Sequence, residues 1–282
     1  MLSIPRDELP LLLVMGGLIF LSLVVAPIVF FYFLFRSERR QQEEVAEGLF
    51  RRVEGGVKEG VALVRVEADR APGVPGEGLA WFEQAGASLS EAGLGVLGDA
   101  VVRVPVRGGE TREVAYRRAW VAADGLSVAV LEWLMPAVMP VGVELKGPEP
   151  VTRTVSVWSQ TEAGEVWVTR DAVTVRTTSP DDVRVWVVGL GFPASQYAAS
   201  HAAFLKENGV EGLKPLDTFE AYAALVEVER GLVRRHRESF GYLDRRELAT
   251  IQGVPEGDVE PRLVAAVDRI KRQQGLPMGV RG

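Results

Sequence analysis

The stretch SVWSQTEAGEVWV, residues 156–168, alternates apolar and polar side chains on both sides of a short glycine-containing segment. Alternation with a period of two is typical of half-buried β-strands, and two such runs joined by a few residues predict an antiparallel hairpin. A turn centred on residues 162–163 places Trp158 and Trp167 directly opposite each other on neighbouring strands. The hairpin therefore indicates a β-rich, mainly antiparallel region around it.

Similar runs surround the hairpin, and helical periodicity begins after Phe192. The predicted strands are 61–67, 101–107, 113–122, 126–134, 141–146, 152–160, 165–170 and 183–190. The predicted helices are 194–208, a long helix from the capping box at Asp217 to about Phe240, and shorter helices at 244–252 and 259–273. Strands followed by a run of helices predict an α+β body with its helices gathered towards the C-terminus.

A long uncharged segment precedes this body. Residues 9–35 include 27 consecutive positions without a charge. Because about 20 apolar helical residues cross a bilayer core, this segment is predicted to be a single transmembrane helix. A cleavable signal peptide is the alternative, but its apolar region is shorter and its basic residues come first. Here the run is long, and the basic residues follow it.

Flanking arginines predict the orientation of the span. Arg36, Arg39 and Arg40 follow it, whereas Arg6 alone precedes it. The positive-inside rule then leaves the N-terminus outside and the bulk of the chain in the cytoplasm. The predicted localisation is a bacterial cell (inner) membrane, with the arginines at the membrane boundary.

The predicted organisation has six parts. The chain divides into an extracytoplasmic tail at 1–8, the transmembrane helix at 9–35, a juxtamembrane helix at 36–56, a β-rich cytosolic domain at 57–192, a helical part packed on it at 193–275, and a flexible tail at 276–282. The juxtamembrane helix carries an apolar stripe of Val45, Leu49 and Val53. This stripe fits a short coiled coil between two copies, or a charged helix resting on its own domain or on lipid headgroups.

Composition narrows the function classes. The net charge of −6 argues against a general nucleic-acid binder, and the absence of cysteine excludes disulfides, thiolate nucleophiles and cysteine-bound metals. The arginine-rich, asparagine-poor composition fits a GC-rich genome or a thermophile. Basic residues cluster near the C-terminus, where they form a possible surface for a partner or for lipid headgroups: Arg234, Arg235, Arg237, Arg245 and Arg246.

Chemical motifs are few. GLGVLG at residues 93–98 matches a dinucleotide-binding pattern, but it precedes a strand where that site needs a helix, so we interpret it as a glycine-rich turn. His201 and His236 are candidate catalytic residues, although each has apolar neighbours four residues away on a helix face. The tryptophans are predicted to lie mainly in the core, the alternative being an aromatic ligand surface: Trp81, Trp120, Trp133, Trp158, Trp167 and Trp186.

These patterns favour a membrane-anchored interaction or accessory module, with catalysis left open but not favoured. The expected partners are the lipid bilayer and either another protein or a second copy, with no metal or cofactor. One alternative is a membrane-tethered hydrolase or transferase without a local signature. The other is a tethered nucleic-acid binder acting through the basic C-terminal helices, which is not favoured because acids and prolines occupy residues 255–261.

Overall fold

The computed structural model describes residues 26–58, 62–67, 73–105, 110–135, 153–171, 179–189 and 191–278. It contains one seven-stranded sheet and helices on both of its faces, which confirms the predicted α+β class. The strands are β1 (Ala62–Val66), β2 (Gly95–Pro105), β3 (Thr111–Val121), β4 (Val128–Leu134), β5 (Arg153–Gln160), β6 (Val166–Asp171) and β7 (Val183–Val188). The helices are α1 (Ala26–Lys58), α2 (Gly76–Glu91), α3 (Ala194–Glu207), α4 (Phe219–Ser239), α5 (Arg245–Gln252) and α6 (Pro261–Gln274).

The strands lie in the sheet in the same order as in the chain. Each pair from β1 to β6 is antiparallel, as predicted, and only β6 and β7 are parallel. Among the described strands, β7 therefore lies at the end of the sheet, next to β6.

The β5–β6 hairpin forms, but with a register one residue away from the predicted one. Trp158 lies opposite Val168, and Trp167 lies opposite Ser159. The cause is Gly164, which adopts a φ of 94° and adds a third residue to the loop. Because neighbouring side chains point to opposite faces of a sheet, Trp158 and Trp167 lie on different faces instead of facing each other.

Two apolar cores cover the sheet. Helices α2 and α3 pack on one face, where the buried side chains include Phe82, Tyr116 and Tyr197. Helix α4 packs on the other face through residues such as Tyr222 and Leu225. Alternation along the strands supplies both cores, as predicted for half-buried strands.

One helix lies inside the region predicted to be β-rich. Helix α2 begins directly after Pro75, and the glycine-rich segment that follows it enters β2. This arrangement agrees with the interpretation of residues 93–98 as a turn into a strand. A Cβ at Gly86 of α2 would lie 2.6 Å from the Trp120 ring, so this glycine allows the helix to approach the sheet closely.

Helix α1 rests on the C-terminal helices. Ala46 and Phe50 are buried in a third core with α5 and α6, whereas Val45 is 46% exposed. Leu49 and Val53 of the predicted stripe are partly buried against the same core, so the buried face includes them together with Ala46 and Phe50 and leaves out Val45. Of the arrangements left open for this segment, the described residues show a helix resting on its own domain.

No helix within the described residues is long and apolar enough to cross a membrane. The predicted tail at 1–8 and residues 9–25 of the predicted span lie outside the described residues. The same is true of the predicted strand at 141–146 and of residues 279–282.

Candidate functional site

His201 lies at the centre of a buried polar network. It is 1% exposed on α3, and both of its ring nitrogens contact hydroxyl groups of the sheet. Nδ1 lies 3.0 Å from Oγ1 of Thr169, and Nε2 lies 3.0 Å from Oγ of Ser159. Ser159 in turn lies 2.8 Å from the Ser127 hydroxyl. The network joins α3 to strands β5 and β6.

The hydroxyl of Ser159 has one proton and three polar neighbours. It lies 2.9 Å from the carbonyl of Leu126, which can only accept, and it also contacts the Ser127 hydroxyl and Nε2 of His201. When Ser159 donates to the carbonyl, Nε2 of His201 is the protonated nitrogen and donates to Ser159, while Nδ1 accepts from Thr169. A histidine that activates a serine must instead accept the serine proton. The arrangement is that of a structural bridge between helix and sheet.

Burial also makes His201 a weak base. Removal from water lowers the pKa of its imidazole to about 4. Ser159 and Thr169 are fully buried, so a substrate has no route to the hydroxyl groups through the described residues. The pair Ser159–His201 has the distance of a nucleophile and its base but no access through the described residues.

His236 lies elsewhere. It is half-buried near the end of α4, with its ring edge-to-face on Phe240 at a centroid distance of 5.1 Å. Because α3 and α4 cover opposite faces of the sheet, the fold does not bring the two histidines together. No group of three His, Asp or Glu side chains within the described ranges is arranged to hold a metal ion.

The C-terminal arginines differ in their surroundings. Arg237 turns inward and donates to the fully buried carboxylate of Glu247 at 3.0 Å. Arg245 donates to the backbone carbonyls of Glu256 and Gly257, which fixes the turn before α6. The exposed members of the set are Arg234, Arg235, Arg245 and Arg246.

The boundary arginines are described in part. Arg39 and Arg40 are exposed on α1, and Arg39 pairs with Glu43 one turn further along the same helix. The side chain of Arg36 lies outside the described residues. Arg39 and Glu43 also line a small hollow between α1 and α6.

A charged layer lies between the sheet and α4. Arg117 donates to Glu132 at 2.6 Å and reaches the hydroxyl of Tyr222, so that its pKa is raised despite the cost of burial. Burial raises the pKa of Glu229 on α4 and lowers that of Arg170 on β6. The two arginines and two carboxylates balance in charge, which is typical of a structural network.

The most open apolar surface of the body lies along β7. Trp186 is 48% exposed, Val187 44%, and Phe192, just beyond the strand, 46%. Among the described strands, β7 pairs only with β6. Edge strands present unpaired backbone groups and are usually shielded by charges, prolines or short length. Here the exposed residues are mostly apolar, so the surface has the character of a binding site.

An aromatic row connects this edge to the interior. Phe204 of α3 stacks on Trp186 at a centroid distance of 5.6 Å and packs against Trp167 at 5.0 Å with tilted rings. A groove of about 540 Å³ adjoins the row, with Arg184 and Arg246 among its lining residues. Trp167 is buried and Trp186 is not. The row therefore supports an exposed ring from its inner side.

Sequence reasoning did not single out Trp186, which it grouped with the core tryptophans. Trp120, Trp133 and Trp167 are indeed buried. The strand VRVWVV carries one available signal, since Arg184 and Trp186 share a face and an arginine is rarely part of a core. That β7 is the last strand depends on non-local pairing, which the sequence does not reveal.

Comparison of the chain with protein-family models, with curated proteins and with solved structures finds no match.

Proposed function

We propose that this chain is a membrane-anchored interaction module that binds an extended segment of a protein partner along the outer side of β7. The observation that carries the proposal is the exposure of Trp186 and Val187 on a strand whose outer side has no partner among the described strands. Strand addition is a common recognition mode, in which backbone hydrogen bonds supply affinity and alternate side chains supply specificity.

The anchor in this proposal is the uncharged segment at residues 9–35, which is long enough to cross a bilayer. The arginines that follow it favour a cytosolic body. The contacts of α1 support a stiff connection between anchor and body. Glu38 pairs with Arg262 at 2.8 Å, and Glu43 pairs with Arg269, both across the contact between α1 and α6.

The third core strengthens this connection. Phe50 of α1 packs edge-to-face on Tyr242 at 6.0 Å, just after the end of α4. Lys271 of α6 is buried and donates to the carbonyl of Phe240 at 2.7 Å. These contacts join α1, the end of α4 and α6. The body is thus attached to the proposed anchor through a packed junction.

The proposal is tested by site-specific photocrosslinking of the full chain in cells. A photoreactive amino acid replaces Val187 on the edge or, as a matched control, Val96, which is 65% exposed on β2. The expected result is a discrete protein adduct from position 187 and none from position 96, recovered in membranes after an alkaline wash. Equal labelling from both positions, or no adduct from position 187, contradicts strand binding. Loss of the chain in the wash contradicts the anchor.

A further inference from the structure

We infer that the partner on β7 is a second copy of this chain, paired antiparallel to the first about a two-fold axis at Val185. This inference depends on the proposed function and specifies its partner. It joins two seven-stranded sheets into one continuous sheet across the dimer.

The direction of the backbone groups supports the pairing. The carbonyl of Asp182 accepts from the N–H of Val166 on β6 at 2.8 Å, so it points inward. Backbone groups alternate along a strand, and therefore those of Val183, Val185 and Val187 point outward. The outward groups of Val185 and Val187 and the carbonyl of Val183 are available to pair with a further strand, whereas the N–H of Val183 is occupied by the carbonyl of Pro180.

An axis at Val185 uses all three residues. Val185 lies opposite its own copy, and Val183 lies opposite Val187 of the second chain. The N–H of Val183 already donates to the carbonyl of Pro180 at 3.0 Å. About four backbone hydrogen bonds then remain for the two strands. An axis one residue away in either direction leaves Val183 or Val187 without a partner inside the strand.

The side chains favour the same register. With the axis at Val185, Arg184 of each chain lies opposite Trp186 of the other, in the closely spaced class of antiparallel pairs, whose Cα atoms are about 4.5 Å apart. A guanidinium over an indole ring is a favourable cation–π contact, and the dimer contains it twice. An axis at Arg184 instead opposes two arginines, and an axis at Trp186 places Arg184 against Val188, which is buried. The strand is self-complementary in one register.

The inference is tested with the full chain in detergent solution by analytical ultracentrifugation. The wild type is expected to have the mass of a dimer. Trp186→Lys places a lysine opposite Arg184 of the second copy and is expected to raise the dimer dissociation constant by about tenfold or more, because like charges directly opposite each other repel. Adding Arg184→Glu to Trp186→Lys recreates an opposite-charge pair and is expected to restore most of the dimer. Circular dichroism checks that both variants retain the fold.

Three results overturn the inference: a monomeric wild type, a dimer that Trp186→Lys leaves unchanged, or a double variant no tighter than the single one. The photocrosslinking experiment separates this failure from failure of the proposed function. An adduct from position 187 whose mass is not that of two chains excludes self-pairing but retains strand binding. A monomer that gives no adduct excludes both.

Discussion

Helix α3 carries two residues, three positions apart, whose surroundings differ completely. His201 is closed off between helix and sheet, with both ring nitrogens bonded to hydroxyl groups. Phe204 lies beside an open edge and stacks on a half-exposed tryptophan. The residue with the more reactive side chain is the structural one, and the apolar residue belongs to the candidate site. The role of each residue depends more on its solvent exposure, and on whether a nearby strand has unpaired backbone groups, than on the chemical type of its side chain.

The arginines of α4 show the same contrast between inward-facing and exposed residues. A substitution of the inward-facing one gives the largest expected effect on stability. Arg237→Leu removes the guanidinium that pairs with the fully buried carboxylate of Glu247. We expect the free energy of unfolding to fall by about 3–5 kcal/mol, because a buried charge is costly once its partner is lost. Urea titration of the full chain in detergent, followed by circular dichroism, measures the loss.

Arg234→Leu is the matched control, since Arg234 lies three residues away on the same helix and is exposed. Its effect is expected to stay within about 0.5 kcal/mol. Losses of unfolding free energy of similar size in the two variants contradict the distinction between the inward-facing and the exposed arginine.

The closed network at His201 predicts a specific pH dependence. Burial lowers the pKa of His201 to about 4 in the folded chain, whereas an unfolded histidine has a pKa of about 6.5. Between these values the unfolded chain binds a proton that the folded chain does not, so stability falls as the pH falls. At pH 5 the contribution amounts to about 2 kcal/mol relative to pH 7.

His201→Gln isolates this contribution. A glutamine amide both donates and accepts hydrogen bonds but does not titrate. Carboxylates elsewhere contribute equally to both proteins, so the variant is expected to lose about 2 kcal/mol less than the wild type between pH 7 and pH 5. Urea titrations at the two pH values measure the difference. Parallel pH profiles mean that His201 is not held neutral by burial.

Local structure was predictable because it depends on neighbouring residues. Helix α3 begins and ends within one residue of its predicted bounds, and Tyr197, His201 and Leu205 lie on one buried face, as their spacing of four indicates. The long helix α4 is capped by Thr218 instead of Asp217, since the Thr218 hydroxyl accepts from the N–H of Ala221 at 3.1 Å. Pro261, expected to disrupt a helix, occupies the first turn of α6, where its missing N–H is tolerated.

The candidate site along β7 was less predictable, because it depends on pairing between strands and on contacts between residues that are distant in the sequence. A single residue in the loop at Gly164 changes the register of the hairpin and places its two tryptophans on opposite faces of the sheet. Among the described strands, β7 pairs only with β6 and in parallel, and neither strand contains a local sign of this pairing. Inward and outward arginines on α4 also look alike in the sequence, since Arg234 and Arg237 differ only in which tertiary neighbours they meet.

Apart from the Arg234→Leu control, the smallest effect on protomer stability is expected at the open edge, from Trp186→Ala. Because the ring is 48% exposed, its removal is expected to cost mainly the stacking on Phe204, about 1 kcal/mol.

The informative quantity is how the urea midpoint depends on protein concentration. If β7 pairs with its own copy, the urea midpoint of the wild type rises with concentration, because association stabilises the folded chain by mass action. The midpoint of Trp186→Ala is expected to change much less, whereas Val96→Ala, an exposed apolar change on β2, retains the wild-type dependence. Two results together contradict the contrast between buried His201 and the exposed edge beside Phe204: a wild-type urea midpoint that does not depend on concentration, and a large loss of unfolding free energy in Trp186→Ala. They would assign Trp186 to the interior of the protein.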